Sequence, residues 1–97
     1  MRGRYELREW ELDLWKWRIK KDLSYAIANP GVSLNYTTED ITPRQFIILI
    51  DSLGWYEISC EFSRGNCYLI LINDEGIRLY IYLDVFDMTF NWGCCEE

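Results

Sequence analysis

The sequence contains no histidine, only two prolines, and no Cys-x-x-Cys pair among its four cysteines. Without imidazole there is no histidine base or ligand, and every Ser-His or Cys-His nucleophile is excluded. The cysteines stand at Cys60, Cys67, Cys94 and Cys95. A four-thiolate zinc site pairs its ligands a few residues apart on a knuckle, and the adjacent Cys94 and Cys95 serve one tetrahedral ion poorly. No metal site and no cofactor is expected.

Long apolar runs are also missing. Phe46–Ile50 is unbroken, yet nothing approaches the roughly 20 residues that cross a bilayer. Met1 to Glu6 carry charge in place of an apolar leader, so neither a signal peptide nor a membrane span is expected. A cytoplasmic setting with reduced thiols follows as the expectation, which argues against a disulfide scaffold. The turns Ser63-Arg64-Gly65-Asn66 and Asp74-Glu75-Gly76 do not lead into a helix, as a phosphate cradle would require. Carboxylate pairs are no better placed for catalysis. Glu57 and Glu61 lie four apart on one strand face, about 13 Å, too far to share a site. No catalytic residue is assigned, and the chain reads as a non-enzyme.

What remains is an aromatic, acidic chain of 97 residues, 49% hydrophobic and 16% aromatic, with five tryptophans. That length makes one domain, 1–97, with one compact core, and the composition excludes a disordered chain. The formal charge of −6 argues against a phosphate backbone as partner and for a protein with a basic surface.

Residues 5–28 contain no proline or glycine, and their charges run from Glu6, Glu9, Glu11 and Asp13 to Lys16, Arg18, Lys20 and Lys21. This order suits the helix dipole and predicts a long N-terminal helix, with Asp13/Lys16 and Arg18/Asp22 at pairing distance. Its core face is Tyr5, Leu12, Trp15, Ile19, Leu23, Ala26 and Ile27. A second apolar stripe, Leu7, Trp10, Leu14 and Trp17, falls on nearly the opposite side. The alternation Trp10, Leu12, Leu14 would also suit a bulged strand, but β-branched residues are almost absent before Ile19.

After Asn29-Pro30-Gly31, the residues Val32, Leu34 and Tyr36 alternate as an edge strand. Thr42-Pro43-Arg44-Gln45 spells a capping box with proline at the first helical position, opening a second helix closed by Gly54. That helix should turn Phe46, Ile47, Ile50 and Leu53 to the core. An antiparallel meander follows. Tyr56, Ile58, Cys60 and Phe62 are expected inward on a half-buried strand, and Cys67 to Ile72 is apolar on both faces. Then Ile77 to Val85 alternates, as do Met88, Phe90 and Trp92, with Gly93 to Glu97 as a tail. With a three-residue loop at each turn, Cys60 shares a face with Tyr68 while the third strand buries the opposite side of the middle one. One loop longer by a residue restores a single core face and gathers Tyr68, Ile70, Ile72, Tyr80 and Tyr82 on the other. That second face must be covered by the long helix, a second copy or a partner. The expected fold is α+β: a three- to four-stranded antiparallel meander packed with a long N-terminal helix and a second, capped helix, one helix for each face.

With both sheet faces assigned a helix, the tryptophan stripe is surplus. Tryptophan concentrates at binding hot spots, so Leu7, Trp10, Leu14 and Trp17, with Glu11 and Asp13 beside them, form the candidate protein-binding site. The expected function is a small acidic module that occludes a partner surface, as an inhibitor or antagonist of the immunity or phage and virus anti-defence kind. The alternatives are a single-stranded nucleic-acid binder using Arg2, Arg4, Tyr68, Tyr80 and Tyr82, and a homodimer with no separate ligand.

Overall fold

The computed structural model describes residues 8–84 and 88–96. Among these, two helices and five strands run in the order α1 (Glu9–Ala28), β1 (Leu34–Thr37), α2 (Pro43–Ser52), β2 (Tyr56–Ser63), β3 (Asn66–Ile72), β4 (Arg78–Asp84) and β5 (Thr89–Cys94). The strands form one antiparallel sheet ordered β1-β5-β4-β3-β2. The α+β class is as expected, but the sheet has five strands, not three or four. β1 adds itself to β5, with Leu34 opposite Trp92 and Tyr36 opposite Phe90.

α1 is helical through the region that also alternated like a strand. Glu9 and Glu11 sit in its first turn, and Glu11 Oε1 accepts from the Arg8 N–H at 3.1 Å, occupying a donor the helix leaves open. Asn29 ends it, its Nδ2 donating to the Tyr25 carbonyl at 2.9 Å. α2 starts as its sequence predicts. The Gln45 N–H donates to Thr42 Oγ1 at 3.2 Å, and Gln45 Oε1 accepts from the Thr42 N–H at 3.1 Å.

Register is settled by the two turns. Ser63 pairs with Asn66 across a two-residue loop in which Arg64 and Gly65 take φ of 49° and 82°. Both positive angles belong to the tight turn that matches strand twist, and glycine takes one of them without strain. The second loop is the three-residue form, with the Asn73 N–H donating to the Ile77 carbonyl at 3.1 Å. The first loop is therefore one residue shorter than expected, which has the same effect as lengthening it. Cys67, Leu69 and Leu71 share a face with Leu79, Ile81, Leu83, Phe90 and Trp92.

Both helices lie on that face, correcting the expectation of one helix for each side. Ile19, Leu23 and Ala26 of α1 and Phe46, Leu49 and Ile50 of α2 join one cluster with the inward strand residues. Phe46 ties α2 into it, with ring centroids 5.6, 5.2 and 5.1 Å from Tyr36, Phe90 and Trp92. Leu49 is buried although the sequence pattern does not single it out, and Ile27 is exposed although its spacing puts it on the core face. Tyr5 and Val85 lie outside the described residues.

Because the helices sit over the β5 side of the sheet, the opposite edge is bare. Every residue of β2 is exposed, against the expected half-buried strand. A bulge between Glu57 and Ser59 shifts the register, so Tyr56 faces away from the helices opposite Ile72. Cys60 is exposed while Cys67 is buried, so only the second behaves as a core hydrophobe. Cys94 is the last residue of β5 and is buried, not part of a tail.

Candidate functional site

Trp10, Leu14 and Trp17 stand together on the outer face of α1, exposed by 58, 60 and 65%. They recur at three- and four-residue steps, so the helix itself aligns them, and with Asp13 they line a shallow depression. α1 fixes their position by burying the other side, where Leu12 and Trp15 are half-buried and Ile19, Leu23 and Ala26 are inside. The charges around the stripe are sorted. Glu9 and Asp13 lie exposed at its N-terminal end, and at the other end Lys21 Nζ sits 5.5 Å from the Trp17 ring centroid. Glu11 does not join the patch, since its carboxylate folds back to the Arg8 N–H. Leu7, the first member of the stripe in sequence, lies outside the described residues.

The tyrosine face also assembles. Tyr68, Tyr80 and Tyr82 project from β3 and β4 on the side without helices, Tyr68 stacked on Tyr80 at 6.4 Å and 13° and tilted against Tyr82 at 6.5 Å. Part of this face is covered by the residues just before β1, which starts at Leu34 and not at Val32 as the alternation predicts. The segment at Val32 and Ser33 crosses β5, and Ser33 Oγ and Tyr80 Oη share a hydrogen bond. Burial, followed by Cys95, Tyr80 and Glu61, raises the Tyr68 phenol above its ordinary value. Arg2 and Arg4 lie outside the described residues.

No family model, curated protein or solved structure matches this chain. Function is therefore argued from these side chains alone. Among the described residues no group of three or more His, Cys, Asp and Glu could hold a metal ion, and no helix is long and apolar enough to cross a membrane. A half-open cleft of about 850 Å³ is lined by Ile27, Pro30, Ile70, Ile77, Arg78 and Cys95 among others. Of the two cysteines on it, Cys94 and Cys95, the second is poorly suited to attack, because burial pushes its thiol up further than Arg78 pulls it down.

Where α1 meets β1, the Tyr36 hydroxyl donates to Asp22 Oδ2, and Arg18 Nε approaches the same oxygen at 3.9 Å. The Arg18 guanidinium lies 4.7 Å from the Trp15 ring centroid and 5.3 Å from that of Tyr36. The Arg18/Asp22 pair was legible from spacing, whereas the tyrosine between them was not. Burial first, then the bond to Asp22 and its charge, hold the Tyr36 phenol well above its ordinary value of 10.0. The folded state thus keeps a proton that the unfolded chain releases above pH 10. This contribution to stability is complete below pH 10 and is lost as pH rises toward the folded value, by up to about 1.4 kcal/mol per pH unit. Tyr36→Phe should cost about 1–2 kcal/mol at neutral pH and remove one proton's worth of that alkaline slope. Urea titrations across the alkaline range measure both, and an unchanged slope would show that Tyr36 titrates alike in both states.

Proposed function

We propose that the chain is a non-enzymatic protein-binding module that acts by covering a partner's surface, with the outer face of α1 as its contact. The reading is carried by the three exposed apolar side chains Trp10, Leu14 and Trp17 on a helix already anchored by its other side. Rigid tryptophans on a regular element lose little freedom on binding and bury much area, the character of an interface anchor. The charge of −6 and the acidic end at Glu9 and Asp13 favour a partner with an apolar slot beside basic residues. Occlusion of such a surface is what an inhibitor or antagonist of the immunity or anti-defence kind would do.

The test is affinity capture from cells that express the protein, comparing wild type with the Trp10→Ala, Trp17→Ala double variant. A partner retained by wild type, weakened by added salt and lost in the folded double variant is the expected result. The same proteins held equally by both would overturn the reading.

A second reading, single-stranded nucleic-acid binding, draws support from the stacked Tyr68 and Tyr80. The charge of −6 and the placing of Glu61 opposite Tyr68 weigh against it. Failure to shift labelled RNA or DNA at low salt would remove it.

A further inference from the structure

β2 ends the sheet on the side away from β1, so β3 is its one neighbour in the sheet, and all its residues are exposed. On this hairpin two of the four cysteines come together. Ser63 and Asn66 close a two-residue loop as a hydrogen-bonded pair, so Phe62/Cys67 and Cys60/Leu69 are the next two non-hydrogen-bonded pairs, where paired strands approach most closely. Cys60 and Cys67 are therefore diagonal neighbours on one face. Both are free thiols, Cys60 exposed and Cys67 buried. Burial first, then the adjoining Cys60 thiol, push the Cys67 thiol up to about 11. The other cysteines stand apart from this pair: Cys94 lies on β5 opposite Leu79, and Cys95 follows it at the cleft.

We propose that Cys60 and Cys67 form a peroxide-sensitive dithiol, which closes to a disulfide across the β2–β3 hairpin and is reopened by a small thiol. The Cys60 sulfur attacks one oxygen of hydrogen peroxide; the O–O bond breaks, the sulfenic acid of Cys60 forms and one water leaves. The Cys67 sulfur then attacks the Cys60 sulfur; the S–O bond breaks, the S–S bond forms, and the hydroxyl departs with the Cys67 proton as a second water. Two thiols thus lose two electrons, and one peroxide is reduced to two waters. Exposure sets the order, since Cys67 is buried and keeps its proton until the second step. Diagonal neighbours stand about 7–8 Å apart at Cα, slightly more than a disulfide commonly spans, so β2 must draw toward β3 as the bond closes. An edge strand whose residues are all exposed is free to do so. A bond closed against that displacement is more readily reduced than a relaxed one, so two glutathione thiols can reopen it and leave as their own disulfide.

The chain carries its own map for the test. Trypsin cuts after Arg44, Arg64 and Arg78, which puts Cys60, Cys67 and the adjacent Cys94 and Cys95 on three separate peptides, 45–64, 65–78 and 79–97. Folded protein treated with hydrogen peroxide, capped with N-ethylmaleimide and digested without reductant should yield 45–64 linked to 65–78. The yield should be independent of protein concentration, and glutathione should separate the two peptides. With the link closed, amide exchange at Ser59 and Glu61, whose backbone groups bond to β3, should slow by about tenfold or more. In Cys67→Ser the sulfenic acid of Cys60 should accumulate and be captured by dimedone. Cys60→Ser changes an exposed side chain, so the fold should persist and Cys67 should remain a thiol. Cys60 carried on to the sulfinic acid beside a free Cys67 overturns the proposal. So does a link from 45–64 to its own copy or to 79–97, or a wild-type chain in which both thiols stay free.

Discussion

Phe46→Ala is expected to lower the free energy of unfolding by about 3–5 kcal/mol, the range for deleting a fully buried phenylalanine. Phe46 has no exposed surface and joins α2 to three strand-borne rings, those of Tyr36, Phe90 and Trp92. Its neighbours come from β1 and β5, the pair of strands that closes the sheet on the side under the helices. Removing the ring therefore leaves a cavity where three elements meet, and no single element can shift to fill it. Urea denaturation should show the midpoint falling with little change in slope. A loss below about 1 kcal/mol would mean that α2 is not docked through this ring.

Gly93→Ala should cost about 1–3 kcal/mol although it adds one methyl group. A Cβ at Gly93 would overlap the carbonyl oxygen of Val32 and sit 3.1 Å from Tyr80 Oη. The first obstacle is backbone and cannot rotate away, so the Val32 segment must lift from β5. The same movement should break the bond between Ser33 and Tyr80 and lengthen the reach of solvent over the tyrosine face. Hydrogen exchange at Gly31, whose N–H donates to the Cys94 carbonyl at 3.0 Å, should quicken in the variant. Unchanged protection there and unchanged stability would contradict the close approach.

Local chemistry was the most legible part of the fold. The capping box at Thr42 and Gln45, the charge order along α1 and the alternation of β4 each act over a few residues, and each forms as its residues dictate. Layering was less legible, because a strand that is apolar on both faces says that both need shelter without saying from what. Here tyrosines supply most of the second face, and a half-wet tyrosine tolerates a side that leucine would not. That is why both helices can share one face. The exposure of β2 was invisible for a related reason: Cys60 and Phe62 do point toward the helix side, but period alone cannot tell an edge strand from a central one. The bulge at Glu57 hid Tyr56 in the same way. At the candidate site, the tryptophan stripe was readable from spacing, whereas the inward turn of Glu11 depends on a hydrogen bond to its own helix start.

The most direct test of the claim that the α1 stripe is surplus to the fold is the unfolding free energy of Trp10→Ala with Trp17→Ala. Both rings are more than half exposed, and alanine is the better helix former, so stability should stay within about 1 kcal/mol of wild type. A loss approaching 3–5 kcal/mol for each ring, as for a buried aromatic, would show that the stripe is core and not a contact surface.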